Sequence, residues 1–209
     1  REMAAAEERF GPLYAQYLKE DIPQLAKNPD ALRTGERLFV NYCATCHGSD
    51  ARGAPGYPNL RDDDWLWGGD PEAIKTSILQ GRTGAMPAWG TVLGRDDLFN
   101  VTEYVLSLSG RRVNASAAAL GREKFQQLCA ACHGQDGKGN TMVGAPNLTD
   151  DIWLYGGSQR AVMESIEKGR NGRMPAHADF LGEAKAHVLA AYVYSLSRNQ
   201  PRVASSEAR

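Results

Sequence analysis

Strand signals are nearly absent from this chain: runs that alternate apolar and polar residues and are rich in Val, Ile and Thr are hardly found. A sandwich, a barrel or a parallel-sheet fold is therefore excluded. No apolar run nears the ~18 to 20 residues needed to cross a bilayer, so nothing in the stretch given spans a membrane. Charge of one sign is lacking too, with 24 Lys+Arg against 25 Asp+Glu, and without a clustered basic surface nucleic acid is excluded as the main partner. Residues 1–111 sum to −4 and residues 112–209 to +3, which is either ordinary variation or a dipole that orients the molecule on charged partners. The chain starts at Arg1, with no positively charged start leading into a signal-like apolar core. It is expected to be processed or a fragment, with any leader or anchor lying upstream. The remaining balance, 42% hydrophobic residues in 209, suits a globular protein of one or two domains.

Cysteine is scarce, and all four cysteines fall in two identical frames, Cys43-Ala44-Thr45-Cys46-His47 and Cys129-Ala130-Ala131-Cys132-His133. None is left for a disulfide framework. Cys-x-x-Cys-His is the attachment signature of c-type haem: two thiols add to the vinyl groups and the adjacent imidazole takes the iron from one side. A zinc site needs its Cys pairs about 15 to 20 residues apart, whereas these are separated by 86. A thioredoxin-like pair needs a βαβ context that is missing. Two covalently bound haems c are therefore expected.

The duplication extends beyond the motif. Gly35 and Phe39 precede Gly121 and Phe125 by the same 86 residues, and after a two-residue insertion the offset becomes 88. At that offset Pro58-Asn59-Leu60 matches Pro146-Asn147-Leu148, and Trp65-Leu66-Trp67-Gly68-Gly69 matches Trp153-Leu154-Tyr155-Gly156-Gly157. Gly81-Arg82 matches Gly169-Arg170, Met86-Pro87 matches Met174-Pro175, and Tyr104-Val105 matches Tyr192-Val193. Each copy is about 80 residues, a size at which an unaided core is marginal, and a buried haem would supply apolar volume.

Helices dominate the expected structure. Residues 31–42 and 117–127 run into the two motifs. Asp70-Pro71 and Ser158 are N-caps for helices ending at Gly81 and Gly169, and residues 96–108 and 183–196 close the modules. The stretch Gly84-Ala85-Met86-Pro87 is expected to be loop, and residues 109–116 a linker. The fold class is all-α, with a helical arm over residues 1–30 carrying Phe10, Tyr14 and Tyr17 on one face, a first module over 31–111 and a second over 112–209.

The iron's remaining axial position is filled by Met, filled by His or left open. Apart from His47 the first module has no histidine, and its only methionine is Met86. In the second, repeat position selects Met174 from among Met142, Met163 and Met174, and His177 and His187 stand as rivals. Thioether sulfur favours reduced iron and raises the potential, and an iron held on both sides has no place for a substrate, so an enzyme activity of its own is not expected. Further candidates follow from position. The Pro58 and Pro146 carbonyls are placed to fix the imidazoles, Arg82 and Arg170 to pair with propionates, and Trp65, Trp67, Trp153 and Tyr155 to line the crevices. Solvated arginines and ordinary core aromatics are the competing readings. Gly35 and Gly121 suit a close approach of the first helix to the closing helix near Tyr104 and Tyr192.

With these residues in view, each module resembles a class I cytochrome c. The whole chain resembles the periplasmic part of the di-haem CcoP subunit family of cbb3-type cytochrome c oxidases. The likeness rests on Phe10-Gly11-Pro12-Leu13-Tyr14, Asp63-Asp64-Trp65-Leu66-Trp67-Gly68-Gly69, Gly144-Ala145-Pro146-Asn147-Leu148, Gly169-Arg170-Asn171-Gly172-Arg173-Met174-Pro175 and Ala190-Ala191-Tyr192-Val193-Tyr194-Ser195-Leu196-Ser197. The resemblance implies tandem class I cytochrome c domains wrapped around haem, His/Met ligation in both, and a location on the periplasmic side of the bacterial inner membrane. It also implies an N-terminal anchor outside this stretch, and electron delivery from a soluble cytochrome c donor to the membrane-bound oxidase subunits that reduce oxygen. A free-standing tandem di-haem carrier and a di-haem peroxidase or dehydrogenase are the competing functions. The arm over residues 1–30 argues against the first of these, and the second needs one iron without Met.

Overall fold

The structure is a computed structural model and describes residues 2–198, with side chains from Phe10 onward. The arm and first repeat run α1 (Glu2–Tyr17), α2 (Ile22–Leu25), α3 (Pro29–Tyr42), α4 (Ala44–His47), α5 (Pro71–Gln80), β1 (Arg82–Met86) and α6 (Arg95–Leu108). The second repeat runs α7 (Ala115–Leu128), α8 (Ala130–His133), α9 (Gln159–Lys168), β2 (Arg170–Met174) and α10 (Ala178–Arg198).

Local chemistry explains the helix ends. Asn28 caps α3 by accepting from the Asp30 and Ala31 N–H groups, and Asp70 and Ser158 cap α5 and α9 by accepting from Ala73 and Ala161. Pro29 and Pro71 follow their caps at the first helical position, where no N–H is needed. Gly81 and Gly169 end α5 and α9 at φ +70° and +71°, a conformation that glycine adopts without strain. Gly182 breaks α10 in the same way, so the closing helix proper begins at Glu183.

The expectation of an all-α fold is corrected in one respect. β1 and β2 form an antiparallel two-stranded ribbon, with Arg82 opposite Met174, Gly84 opposite Gly172 and Met86 opposite Arg170. Met86 is therefore in a strand and not in a loop. Neither Arg-Thr-Gly-Ala-Met nor Arg-Asn-Gly-Arg-Met carries the alternation of a strand; each becomes one because the other satisfies its backbone groups.

The chain divides into two compact units. Of the described residues, the first comprises 2–63, 69–81 and 175–198, and the second 64–68 and 82–174. In the first unit α10, the closing helix of the second repeat, packs on α3 and α5. A Cβ on Gly35 would lie 2.5 Å from the Tyr192 Cβ, and the Phe39 and Tyr192 rings are 5.6 Å apart. In the second unit α6, which closes the first repeat, packs on α7 and α9. There Gly121 abuts the Asn100 carbonyl, and the Tyr104 and Phe125 rings meet edge-on at 5.1 Å. The same helix crossing is thus built twice, each time from helices of different repeats.

Connection length accounts for the exchange. Only six residues, Ser109 to Asn114, join α6 to α7, and a connection that short makes consecutive helices antiparallel neighbours. α7 occupies α6, which leaves α3 to α10. The expected linker is accordingly an interior turn of the second unit. Buried Glu103 pins it, accepting from the Asn114 N–H and the Gln159 amide at 2.5 Å each. In the arm, Tyr17 is buried at 4% exposure while Phe10 is 44% exposed, and the His187 ring on α10 holds the Glu20 carbonyl at 2.8 Å.

Candidate functional site

Each Cys-x-x-Cys-His motif begins at the end of a long helix and turns through one short helix. Cys43 closes α3 by donating its N–H to Phe39, and Cys129 closes α7 through Phe125 in the same way. The single turns α4 and α8 then bring both thiols and the imidazole together. Cys46 and Cys132 are exposed while Cys43 and Cys129 are half-buried. Burial, with the neighbouring Cys second, pushes the Cys43 and Cys129 thiols up to about 11. All four thiols are unpaired by disulfide.

The imidazoles are oriented by backbone. His47 Nδ1 lies 3.0 Å from the Pro58 carbonyl oxygen, and His133 Nδ1 lies 3.3 Å from that of Pro146. A carbonyl only accepts, so the proton sits on Nδ1 and Nε2 presents its lone pair, the tautomer a metal requires. Burial lowers the pKa of both rings, opposed in each case by the carbonyl bond. For His47 a further lowering comes from His177.

The structure regroups the sequence's other candidates. Met86 is packed in the second unit against the cluster of Phe125, Val101, Val105, Leu148 and Ile166, together with Cys129, Ala130 and Trp153. Met86 thus belongs to the same unit as His133, and His47 to the other. His177, weighed as a rival for the second module's iron, belongs to the first unit with His47. Its N–H donates to the Ile78 carbonyl at 3.1 Å, and its ring lies 5.3 Å from that of Phe180. Met142 is 84% exposed, Met163 packs on the second unit's cluster, and His187 holds the arm.

On the ribbon, Arg82, Gly84, Met86, Arg170, Gly172 and Met174 are the half-buried positions, and cross-strand partners share a face. That face carries both sulfurs, roughly 13 Å apart along the strands, each opposite the arginine of the other repeat. The Arg82 guanidinium lies 5.1 Å from the Trp67 ring, and that of Arg170 lies 4.6 Å from the Tyr155 ring. Arg170 also gives its Nε–H to Ser165 Oγ at 2.9 Å. Trp65, although from the first repeat, lies in the second unit on an open cleft shared with Lys138 and Pro146. Trp153 packs on the same core cluster, with its indole nitrogen buried and without a hydrogen-bond partner. Sequence reasoning missed Arg111, whose guanidinium lies 5.5 Å from the Trp153 ring. It sits between the repeats, so no repetition marks it.

Two Cys-x-x-Cys-His turns, each with its imidazole Nδ1 held by a backbone carbonyl, define the class as a two-module cytochrome c. Among the described residues no helix is long and apolar enough to cross a membrane. A family model described as cytochrome c oxidase, cbb3-type, subunit III matches residues 30–105 and again 116–193. The cbb3-type cytochrome c oxidase subunit CcoP of Rubrivivax gelatinosus is 50% identical over 198 residues, which cover 94% of this chain and 65% of that protein. CcoP of Cereibacter sphaeroides is 41% identical over 211 residues, 94% of this chain and 73% of its own length. FixP of Azorhizobium caulinodans is 42% identical over 192 residues, 86% and 66% respectively. The chain belongs to the family of cbb3-type cytochrome c oxidase subunit III, and it spans about two thirds of the length of these relatives.

Proposed function

We propose that the chain is the di-haem relay of a cbb3-type terminal oxidase, taking electrons from a soluble cytochrome c and passing them to the membrane-bound core on the periplasmic side of the bacterial inner membrane. The observation that carries this reading is the second unit, where Cys129 and Met86 both pack on one apolar cluster and His133 belongs to the same unit. The residues fit haem c. Paired thiols adjoin an imidazole whose Nε2 is presented, and a buried indole N–H stands without a partner. Cys43 and Cys46, and Cys129 and Cys132, each add S–H across a vinyl group: a C–S bond forms and the hydrogen goes to the other vinyl carbon.

Bound haem supplies one-electron exchange at iron. His133 Nε2 and the Met86 sulfur would hold the iron of the haem bound in the second unit. Met174, the repeat partner of Met86, is the sulfur left for the other haem. The Pro58 and Pro146 carbonyls keep the imidazoles from rotating. Neutral thioether sulfur favours the reduced iron, and both sites are closed to a substrate. Naming of the relatives as oxidase subunits favours this reading over a free-standing carrier.

The test uses two single-haem backgrounds, Cys43→Ser with Cys46→Ser, and Cys129→Ser with Cys132→Ser. In the first, Met86→Ala removes the near-infrared Met–iron band and Met174→Ala leaves it; in the second the effects reverse. Loss of the band through the Met of the same repeat as the motif would overturn the assignment, and a purified chain with no bound haem would overturn the function.

A further inference from the structure

Between the haem motif and the conserved spacing of the ribbon, the two repeats differ in length at one place. In the first, Ala54 and Tyr57 exchange both backbone hydrogen bonds and enclose Pro55-Gly56. In the second, Asn140 and Ala145 make the same exchange and enclose Thr141-Met142-Val143-Gly144. The two-residue insertion is therefore the tip of this turn, and it carries Met142, 84% exposed, and Val143, 47% exposed. Among the described residues no large apolar side chain is more exposed than Met142.

The tip is held in one shape. The Val143 N–H donates to the Asn140 carbonyl at 3.2 Å and the Met142 N–H to Asn140 Oδ1 at 2.9 Å. Gly144, at φ +67°, abuts Trp67, where a Cβ would fall 2.3 Å from the ring. Side chains turned outward on a fixed turn lose little freedom on contact, which is how a preorganised contact point is built. Both ends of the turn lead to the second unit's imidazole: the Gly139 N–H donates to the His133 carbonyl at 2.8 Å, and the Pro146 carbonyl meets His133 Nδ1.

Charge and area say what fits the tip. Residues 139–146 carry no charge, and the preceding cation, Lys138, lies 3.6 Å from the Asp136 carboxylate, so the turn offers an anionic lipid surface nothing to hold. Two side chains fall far short of the ~800 Å² per partner that a permanent subunit contact or a stable dimer takes, and they suit the smaller, short-lived encounters of electron-transfer partners. Methionine, unbranched and polarizable, adapts to a surface that must also let go.

We propose that Met142 and Val143 are the contact point for the soluble electron donor, a redox protein presenting an uncharged apolar patch at its haem edge, and that electrons enter at the haem of the second unit. The proposal rests on the relay reading above and adds to it the contact and the order of transfer. The step moves one electron: the donor's ferrous iron becomes ferric as the ferric iron of the second unit becomes ferrous, and no bond is made or broken.

The test is stopped-flow reduction of the oxidised two-haem protein by a reduced soluble monohaem cytochrome c. At low donor concentration the second-order rate constant is the product of encounter affinity and transfer rate. Met142→Ser with Val143→Ser lowers it about tenfold, as truncation of a central contact does, and Met142→Leu leaves it near the parent value. The defect is the same at low and high salt, because no charge is involved. Reduction by dithionite, the two potentials and the near-infrared Met–iron band do not change. With an isotope label on its methyl group, Met142 gives a resonance that shifts when redox-inert, zinc-substituted cytochrome c is added. Equal rate constants in the parent and the double serine variant, a resonance that stays in place, or an equal loss from Tyr57→Ser, the exposed aromatic of the first repeat's turn, would overturn the contact point. So would an unchanged rate constant beside lost binding to phosphatidylethanolamine–phosphatidylglycerol vesicles or lost self-association in the ultracentrifuge, which would give the tip to a membrane or to a second copy. A parent protein that cytochrome c does not reduce at all would instead overturn the relay reading.

Discussion

Gly35 on α3 faces Tyr192 on α10, and a methyl group at Gly35 would lie 2.5 Å from the Tyr192 Cβ and 3.0 Å from the Val188 carbonyl oxygen. The equivalent contact in the second unit sets Gly121 of α7 against the Asn100 carbonyl of α6. Both glycines buy close helix approach, and both approach a helix from the other repeat. A tyrosine Cβ can shift by a few tenths of an ångström with its helix, whereas a carbonyl hydrogen-bonded within a helix has less room. Gly35→Ala is therefore expected to cost about 1–3 kcal/mol, and Gly121→Ala to sit at the top of that range or above it. Thermal unfolding followed by circular dichroism orders the two; equal or negligible losses would contradict the crossing described.

Lys75 on α5 and Glu183 on α10 join the two repeats within the first unit, Nζ to Oε1 at 2.8 Å. The Glu183 carboxyl is held below its ordinary value of 4.5, first by the hydrogen bond from Lys75 and then by its charge. A carboxylate whose folded pKa is depressed stabilises the fold above its unfolded value, and that contribution disappears as pH falls through the folded pKa. The parent chain is thus expected to melt above Lys75→Gln at pH 7, with the gap narrowing as pH falls below the carboxyl's ordinary 4.5. A gap that persisted at pH 3 would show that the lysine acts through packing alone.

Glu103 is 3% exposed and its two carboxylate oxygens are taken by the Asn114 N–H and the Gln159 amide. Glu103→Ala leaves both donors buried without acceptors, which costs about 2–3 kcal/mol. Glu103→Gln keeps one acceptor and turns an NH2 group toward the other donor, for an intermediate loss. Urea unfolding measures both, and the order Ala below Gln below parent is the expected result.

The haem motif and the helix caps were legible because their chemistry is local. A thiol pair and the next residue suffice for attachment, and Asp70-Pro71 or Ser158 caps whatever helix follows. Which helix pairs with which was not legible, and the reason lies in the duplication itself. Gly35 and Phe39 present the same surface as Gly121 and Phe125, while Tyr104 and Tyr192 offer the same counterpart, so either pairing satisfies the pattern. Only the six-residue connection from Ser109 to Asn114 discriminates, and it looks like a linker when the repeats are taken as domains. The ribbon escaped for a related reason: β1 is a strand because of β2, 88 residues away. Arg111 was invisible because repetition was the signal and it is not repeated.

Exchange of the closing helices makes the repeats poor fragments and the compact units good ones. The stretch 112–209 contains Cys129, Cys132 and His133 but lacks α6 and Met86, so Phe125 would lose Tyr104, Val101 and Val105 as neighbours. A contiguous piece covering 64–174 keeps the whole second unit, with α5 as its one unpartnered helix. Expressed with haem attachment machinery, fragment 64–174 should therefore fold cooperatively and show one haem with a Met–iron near-infrared band. Fragment 112–209 should bind haem without that band and unfold without a sharp transition. If 112–209 instead matched the intact protein in band and in cooperativity, each repeat would be closing on its own helix and the exchange would be wrong; a silent 64–174 beside a competent 112–209 would say the same from the other side.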